Sequence, residues 1–501
     1  MLIAHDLGTT GNKATLVSND GTMLASHTVN YGADWGTDGK AEQNPHDWFH
    51  AVAEANRILL EKSNTAAADI NGISFSGQMM GLVPLDEHDE VVRPAIIWAD
   101  TRSTKEAAEL EKTISMEDCY RITGHRLNPT YSLTKLMWLR AQEPENFSRI
   151  KRFCLAKDYV AMRLTGRLVT DPSDASSTNA YDQSAGTWAW DIIDAAGLKH
   201  SLFPEIIAST DKVGEVTAEA AQETGLMAGT PVIIGGGDGP VAALGAGIID
   251  EESGAYSYLG SSSWVSLSSS KPLLDPKMRS MTFNHVIPGQ FVPTATMQAG
   301  GASVSWGMDV LSGGKTYEEF LDQADGVDAA LSGLFFLPYL IGERSPHWNP
   351  LARGVFAGLH MDHKQEHMMK AILEGVAFNL RVGLEAFSDA GFNVDHIDVI
   401  GGLAKSPVMC SLMANIWNIP VAPRNIVDEA NAIGAAVLAG VGTGVFDDFS
   451  VAQRLSKRDT DITPDIAIHN RYEQPYRLFN DAYERLIPWF SDTYATIESN
   501  N

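Results

Sequence analysis

The sequence predicts an α/β protein built from two similar domains, and three observations carry that expectation. A length of 501 residues allows more than one domain of about 150 residues each. The opening residues 1–40 read as a tight antiparallel meander that leads into a helix and a further strand. The turn of that meander returns about half a chain later, where Gly8 of DLGTTGNKATLV lies over Gly260 of YLGSSSWVSLSS.

The elements follow in order. LIAHDLG, KATLVSND and MLASHTV are short apolar runs separated by Gly8 to Asn12 and by Asn19-Asp20-Gly21, the punctuation of hairpins. Asn44-Pro45 offers a cap and a first-turn proline, and Trp48, Val52, Ala55 and Leu59 recur at helical spacing. INGISFSG and PAIIWAD read as strands that continue the βα alternation of the sheet. Residues 231–239, PVIIGGGDG, form an apolar strand that ends in glycines around Asp238, and GAYSYLGSSSWVSLSSS then repeats the opening strand, turn and strand. The acidic stretch Asp250 to Gly254 between them marks a boundary, giving domains 1–249 and 250–501. The second half gives a helix from about Gln365 to Ala390 stopped by Gly391, the strand HIDVIGGLA, and a helix opened by Ser406-Pro407. The last stretch reads as mostly helical.

Composition excludes several classes. Apolar residues at 44% and charged residues at 20% are ordinary for a globular protein. Sixty-three acids against 37 bases leave a formal charge of -26, which repels a phosphate backbone and argues against a nucleic-acid partner. Cys119, Cys154 and Cys410 lie too far apart for a metal knuckle or a CxxC pair and read as buried apolar residues. The N-terminus MLIAHDLGTT has no signal-like pattern, and no apolar run approaches the ~20 residues of a membrane span, so a cytoplasmic, membrane-free protein is expected.

The turn Asp6-Leu7-Gly8-Thr9-Thr10-Gly11-Asn12-Lys13 suits an anion: small residues let N–H groups approach, the threonines donate, Lys13 adds charge, and Asp6 could hold magnesium through water. Alone it reads better as a plain hairpin loop whose threonines satisfy their own backbone. The related turn at Gly260-Ser261-Ser262-Ser263 shifts the balance, because two phosphate-sized turns in two matching halves fit a nucleotide held between domains. Asp238 in its glycine frame can accept a proton from a substrate hydroxyl, or can cap a helix. The Gly401-Gly402 pair ahead of the Ser406 cap offers a helix N-terminus suited to ribose or phosphate, or is only a strand-to-helix turn. Gly314-Lys315-Thr316 lacks the glycine a P-loop needs, since Asp309 stands there. His363 to His367 fits HxxEH but falls at a helix start where Asp362 and Glu366 can cap, so no metal is assigned to it.

Taken together, DLGTTGNKATL, ISFSGQMMGLVPLD, IIWADTRS, LAKDYVAMRLTG with TDPSDAS, IIGGGDG, YLGSSSW, QAGGASVSWGMD, LIGERSPHWNPLARGVFAGLHMDH, AILEGVAFNLR and IGGLAKSPVMCSLMANIW resemble, in order, the FGGY carbohydrate kinases. Within that family the chain is most similar to xylulose kinases. The resemblance implies two actin-like, ribonuclease H-like domains that close on ATP and a sugar in the cleft between them, with Mg2+ as the metal. It implies Asp238 as catalytic base, Asp6 beside magnesium, Thr9, Thr10 and Lys13 as the first phosphate loop, and Gly260 and Ser261 as the second. Gly301, Ser305, Gly402 and Ser406 then line the nucleotide, while Gln78, Met79, Met80, Trp98, Asp100 and Arg102 read the sugar. The implied reaction is phosphorylation of a ketopentose such as D-xylulose to its 5-phosphate, with another sugar, aldonate or polyol (gluconate, ribulose, erythritol) as the alternative. A homodimer is compatible with these features.

Two departures stand in the sugar stretch. Xylulose kinases usually carry histidine where this chain has Met80 and asparagine where it has Ala99, so two polar contacts are missing. An actin-like ATPase without a sugar substrate would share the phosphate loops but would have no use for the SGQM and WADTR stretches. A sensor that had lost catalysis would have no need to retain Asp6, Lys13 and Asp238.

Overall fold

The computed structural model describes residues 1–425 and 429–499. Strands Leu2–Leu7, Gly11–Val17 and Met23–Asn30 form the expected meander, and Leu2–Leu7 then pairs in parallel with Gly72–Gly77. Pro231–Ile233 pairs in parallel on the far side of Gly72–Gly77, with Lys212–Glu215 antiparallel at the edge. The second half repeats this order. Ala255–Leu259, Ser263–Leu267 and Phe291–Met297 make its meander, and Ile397–Ile400 and Val421–Pro423 extend it in parallel. The weak repeat of sequence is thus a repeat of topology.

Helix Pro45–Ser63 begins as its sequence requires: the Asn44 side chain accepts from the His46 N–H, and Trp48, Val52, Ala55 and Leu59 are buried on one face. Gln365–Asp389 is the long helix of the second half, with Gly391 beyond its end at φ +88°. Ser406 caps Pro407–Trp417 by accepting from the Met409 N–H at 3.2 Å. Ile466–Ser499 supplies the helical C-terminal stretch.

Three local expectations need correction. Ala95–Ile96 of PAIIWAD lies outside the main sheet and pairs antiparallel with Ala41–Gln43 in a small separate one. The strand PVIIGG is broken after Ile233, because Gly235 at φ +73° turns the chain before Gly236–Gly237 rejoins Gly72–Gly77. At His363 to His367 the helix is capped by His367, whose Nδ1 accepts from the Lys364 N–H at 3.3 Å, and not by Asp362 or Glu366. Gly314-Lys315-Thr316 is structural as expected, with Thr316 capping Tyr317–Asp325.

The two halves share a layer of core. Helix Ala430–Gly442 lies far beyond residue 250, yet it packs on strands Leu2–Leu7 and Gly72–Gly77 and against helix Asp238–Gly245. Ala4, Val241, Leu244, Tyr256, Ile400, Ile433 and Val437 belong to this one buried cluster. The three cysteines are buried and unpaired. Among the described residues no helix is long and apolar enough to cross a membrane.

Candidate active site

Strand register alone brings the two acids of the first half together. Asp6, Ser76 and Gly236 form one row across three adjacent strands, and Leu7, Gly77 and Gly237 form the next, so Asp6 and the residue after Gly237 emerge at the same sheet end. That residue is Asp238, the first of helix Asp238–Gly245. Gly235 makes the bend possible: a Cβ there would stand 2.1 Å from the Phe75 carbonyl oxygen. The glycine frame is therefore needed first for close packing. Of its members, Gly239 is open to the cleft, with nothing nearer a Cβ position than the Met79 sulfur at 3.9 Å.

Electrostatics single out the same pair. Burial and the neighbouring Asp6 carboxylate push the Asp238 carboxyl up to about 7, against the Gly239 N–H that donates to it at 2.8 Å and the charge of Arg344. Burial also raises Asp6, opposed by hydrogen bonds from Ser76, at 3.0 Å, and Asn431 and by the charge of Lys13. A carboxylate with a proton affinity near neutrality can work as a base there. Two facing carboxylates also suit a hard divalent cation. Magnesium takes oxygen ligands and keeps most of its shell as water and phosphate oxygen, so one or two carboxylates suffice. No group of three or more His, Cys, Asp or Glu placed to hold a metal occurs among the described residues.

The first loop is built firmly. The Gly8 N–H donates to the Gly11 carbonyl at 3.0 Å, Tyr31 donates to the Gly8 carbonyl at 2.6 Å, and Gln43 donates to the Thr9 carbonyl at 2.6 Å. Trp98 Nε1 donates to Thr9 Oγ1 at 2.9 Å, which leaves the threonine O–H to donate outward, and Thr10 is exposed. Lys13 Nζ lies 4.0 Å from Glu429 of the second half. The second loop meets a helix: the Gly301 and Ala302 N–H groups donate to the Gly260 and Ser261 carbonyls at 2.8 and 3.0 Å. Gly401, at φ +95°, packs on the Leu259 backbone, where a Cβ would stand 2.8 Å from the carbonyl group, and Gly402 after it is open. Ser305 is exposed on helix Gly301–Leu311, whereas Ser406 is nearly buried and its oxygen serves the cap.

The sugar-reading stretch divides. Met79 and Met80 join Tyr131, Met281 and Phe283 in a cluster against which Trp98 and Trp348 pack. Met80 is held at φ +62°, its N–H donating to Ser177 Oγ at 3.1 Å and its carbonyl accepting from buried Lys135 Nζ at 2.8 Å. Gln78 turns inward and donates to Gln43 at 2.8 Å. Asp100 accepts from the Ala41 N–H and from Arg102, which also pairs with Glu42 and stacks over Trp138, so both side chains serve an internal network. Sequence reasoning missed Asn431 and Arg344. Arg344 lies in the LIGERSPHWNP stretch, but nothing local shows that it, or Asn431, reaches the site from the other half of the chain.

A search of family models matches residues 1–245 to the FGGY family of carbohydrate kinases, N-terminal domain, and residues 255–443 to the C-terminal domain of the same family. The chain belongs to the FGGY carbohydrate kinases. It is 33% identical over 488 residues to a xylulose kinase of Lactococcus lactis subsp. lactis, covering 96% of each chain. Among solved structures, a gluconate kinase from Lactobacillus acidophilus superposes with a TM-score of 0.93 at 28% identity, covering 98% of this chain and 99% of that one. A ligand-bound xylulose kinase from Lactobacillus acidophilus gives 0.92 at 28% identity with the same coverage. This FGGY kinase therefore has the two-domain, actin-like fold, and it is a phosphotransferase whose substrates are a sugar and ATP with Mg2+.

Proposed function

We propose that this FGGY kinase transfers the γ-phosphoryl group of ATP to the terminal hydroxyl of an open-chain ketopentose, D-xylulose giving D-xylulose 5-phosphate. The observation that carries the reading is Asp238: a carboxylate in the cleft with a proton affinity near neutrality, at the same sheet end as Asp6. Relatives that bear the name xylulose kinase match nearly the whole chain and support the choice of sugar. Residues 1–249 hold the sugar and the first phosphate loop, and residues 250–501 hold the nucleotide.

The steps follow from the side chains. Met79, Met80 and Trp98 wall the sugar and exclude water from it. Asp238 accepts the proton of the attacking hydroxyl at a carboxylate oxygen while the oxygen attacks phosphorus in line with the departing ADP. Thr9, Thr10, Lys13, Gly260 and Ser261 hold the phosphates, and Gly301, Ser305, Gly402 and Ser406 line the nucleotide. Asp6 would hold Mg2+, which supplies charge neutralisation on the phosphates when bound. Because the protein is strongly acidic overall, that neutralisation has to be local, so activity should require the metal strictly. The buried, unpaired thiols suit a cytoplasmic enzyme.

The reaction fixes a pH dependence. Only deprotonated Asp238 can accept a proton, so kcat/KM should rise about tenfold per pH unit below about 7 and level off above it. A profile that stays flat between about pH 5.5 and 8 would show that Asp238 does not titrate near 7 in the working enzyme. The substrate reading is tested by coupled ADP release over D-xylulose, D-ribulose, D-gluconate, erythritol and glycerol, with and without Mg2+. D-xylulose should give the highest kcat/KM; a higher value for any other compound would replace it.

A further inference from the structure

The loop Leu340–Pro350 of the second half places a cation over a sugar wall to which both halves contribute, Met79, Met80 and Tyr131 from the first and Met281 and Phe283 from the second. Arg344 Nη2 lies 3.7 Å from the Met80 sulfur and 3.8 Å from the Met281 sulfur, and it also reaches the Tyr131 hydroxyl. Thioethers are weak acceptors, and a guanidinium carries five N–H donors in a planar fork. No carboxylate pairs with that fork among the described residues: the adjacent Glu343 instead accepts from the Arg344 backbone N–H and the Gln298 N–H, both at 2.9 Å. Asn379 donates to the other Glu343 oxygen at 3.2 Å, and Trp348 Nε1 anchors the loop to the Met278 carbonyl at 3.0 Å. An anchored loop thus presents a half-buried fork, whose partners here are thioethers and a phenol, to a chamber walled by sulfur and aromatic carbon. Its charge also favours the deprotonated form of Asp238.

We infer that Arg344 is a specificity-determining residue, which donates through its fork to a planar two-oxygen end of the substrate remote from the phosphorylated hydroxyl. This rests on the proposed function, since Asp238 must hold the reacting end. The fork matches two neighbouring coplanar acceptors. The hydroxyketone end of a ketopentose and the carboxylate end of an aldonate both offer them, whereas a polyol does not. The same geometry explains how the site tolerates Met80 in place of a hydrogen-bonding side chain: Met80 supports the guanidinium while the guanidinium reads the sugar.

The test compares D-xylulose, D-xylonate and xylitol as substrates of the parental enzyme and of Arg344→Met and Arg344→Lys. The parental enzyme should prefer a planar-ended substrate to xylitol, and which of D-xylulose and D-xylonate leads tells the two ends apart. In Arg344→Met, measured above about pH 8 where Asp238 is deprotonated with or without the guanidinium, kcat/KM for that substrate should fall about 10- to 100-fold, mainly through KM, with about threefold change or less for xylitol. Arg344→Lys keeps the charge without the fork and should recover only part of the loss. Thermal melting of both variants separates a fold defect from a binding defect. Equal losses on all three substrates, or none, would overturn the inference. Parental turnover of D-xylonate without D-xylulose would instead sink the proposed sugar and leave Arg344 in its role.

Discussion

Replacing Asp238 by Asn should lower kcat for sugar phosphorylation by about 10² to 10⁴-fold while the fold and the affinity for ATP survive. The amide has the shape of the carboxyl, and its oxygen can still accept the Gly239 N–H that now holds Asp238 at 2.8 Å. It cannot take a proton from a hydroxyl. It also removes a half-buried negative charge that faces Asp6, so the melting temperature should stay level or rise. The comparison needs single-turnover kinetics with saturating sugar, together with nucleotide titration of the variant. Near-parental turnover would show that the proton leaves by another route.

The second large effect concerns stability. Lys157→Met should destabilise the protein by about 3 to 5 kcal/mol, read from denaturant midpoints. Lys157 Nζ stands 2.6 Å from Asp158, 2.9 Å from Asp171 and 3.0 Å from Asp174, and all four side chains are completely buried. Burial opposes the ammonium charge, yet the three carboxylates hold Lys157 protonated, with its pKa well above the usual lysine value. Without the cation, buried carboxylates would have to take up protons or draw in water. A total stability of about 5 to 15 kcal/mol leaves little margin for that loss. The cluster also reaches the active site: Asp171 accepts from Ser173, whose hydroxyl oxygen accepts the Gly237 N–H at 2.9 Å, one residue before Asp238. A midpoint within about 1 kcal/mol of the parental value would mean that the aspartates are compensated by other groups.

Local chemistry made much of this legible in the sequence. Asn44-Pro45 and Ser406-Pro407 announce helix starts because a cap acts within three residues, and Gly8 to Asn12 announces a hairpin because only a few residues can turn so tightly. Asp238 stood out because glycines surround it, although Gly235 serves the backbone of Phe75 and not a ligand. What could not be read was set by long-range contact. Arg344 meets Met80 across 264 residues of chain, and nothing near either position signals the encounter. Lys157 in AKDYVAMRLTG looks like an ordinary lysine in the first turn of a helix until Asp171 and Asp174 fold over it. Asp100 and Arg102 match a sugar-reading motif in sequence, but the fold turns them onto Ala41 and Glu42.

The most direct measurement of the central claim follows the γ-phosphoryl group of ATP by phosphorus NMR, with Mg2+ present, in reactions with and without D-xylulose. With the sugar, the γ-phosphoryl signal should be replaced by that of a phosphomonoester on the terminal carbon, in step with ADP formation, and without it ATP should persist. Inorganic phosphate appearing at the same rate in both reactions would contradict the account, because Asp238 would then be activating water and the sugar would play no part.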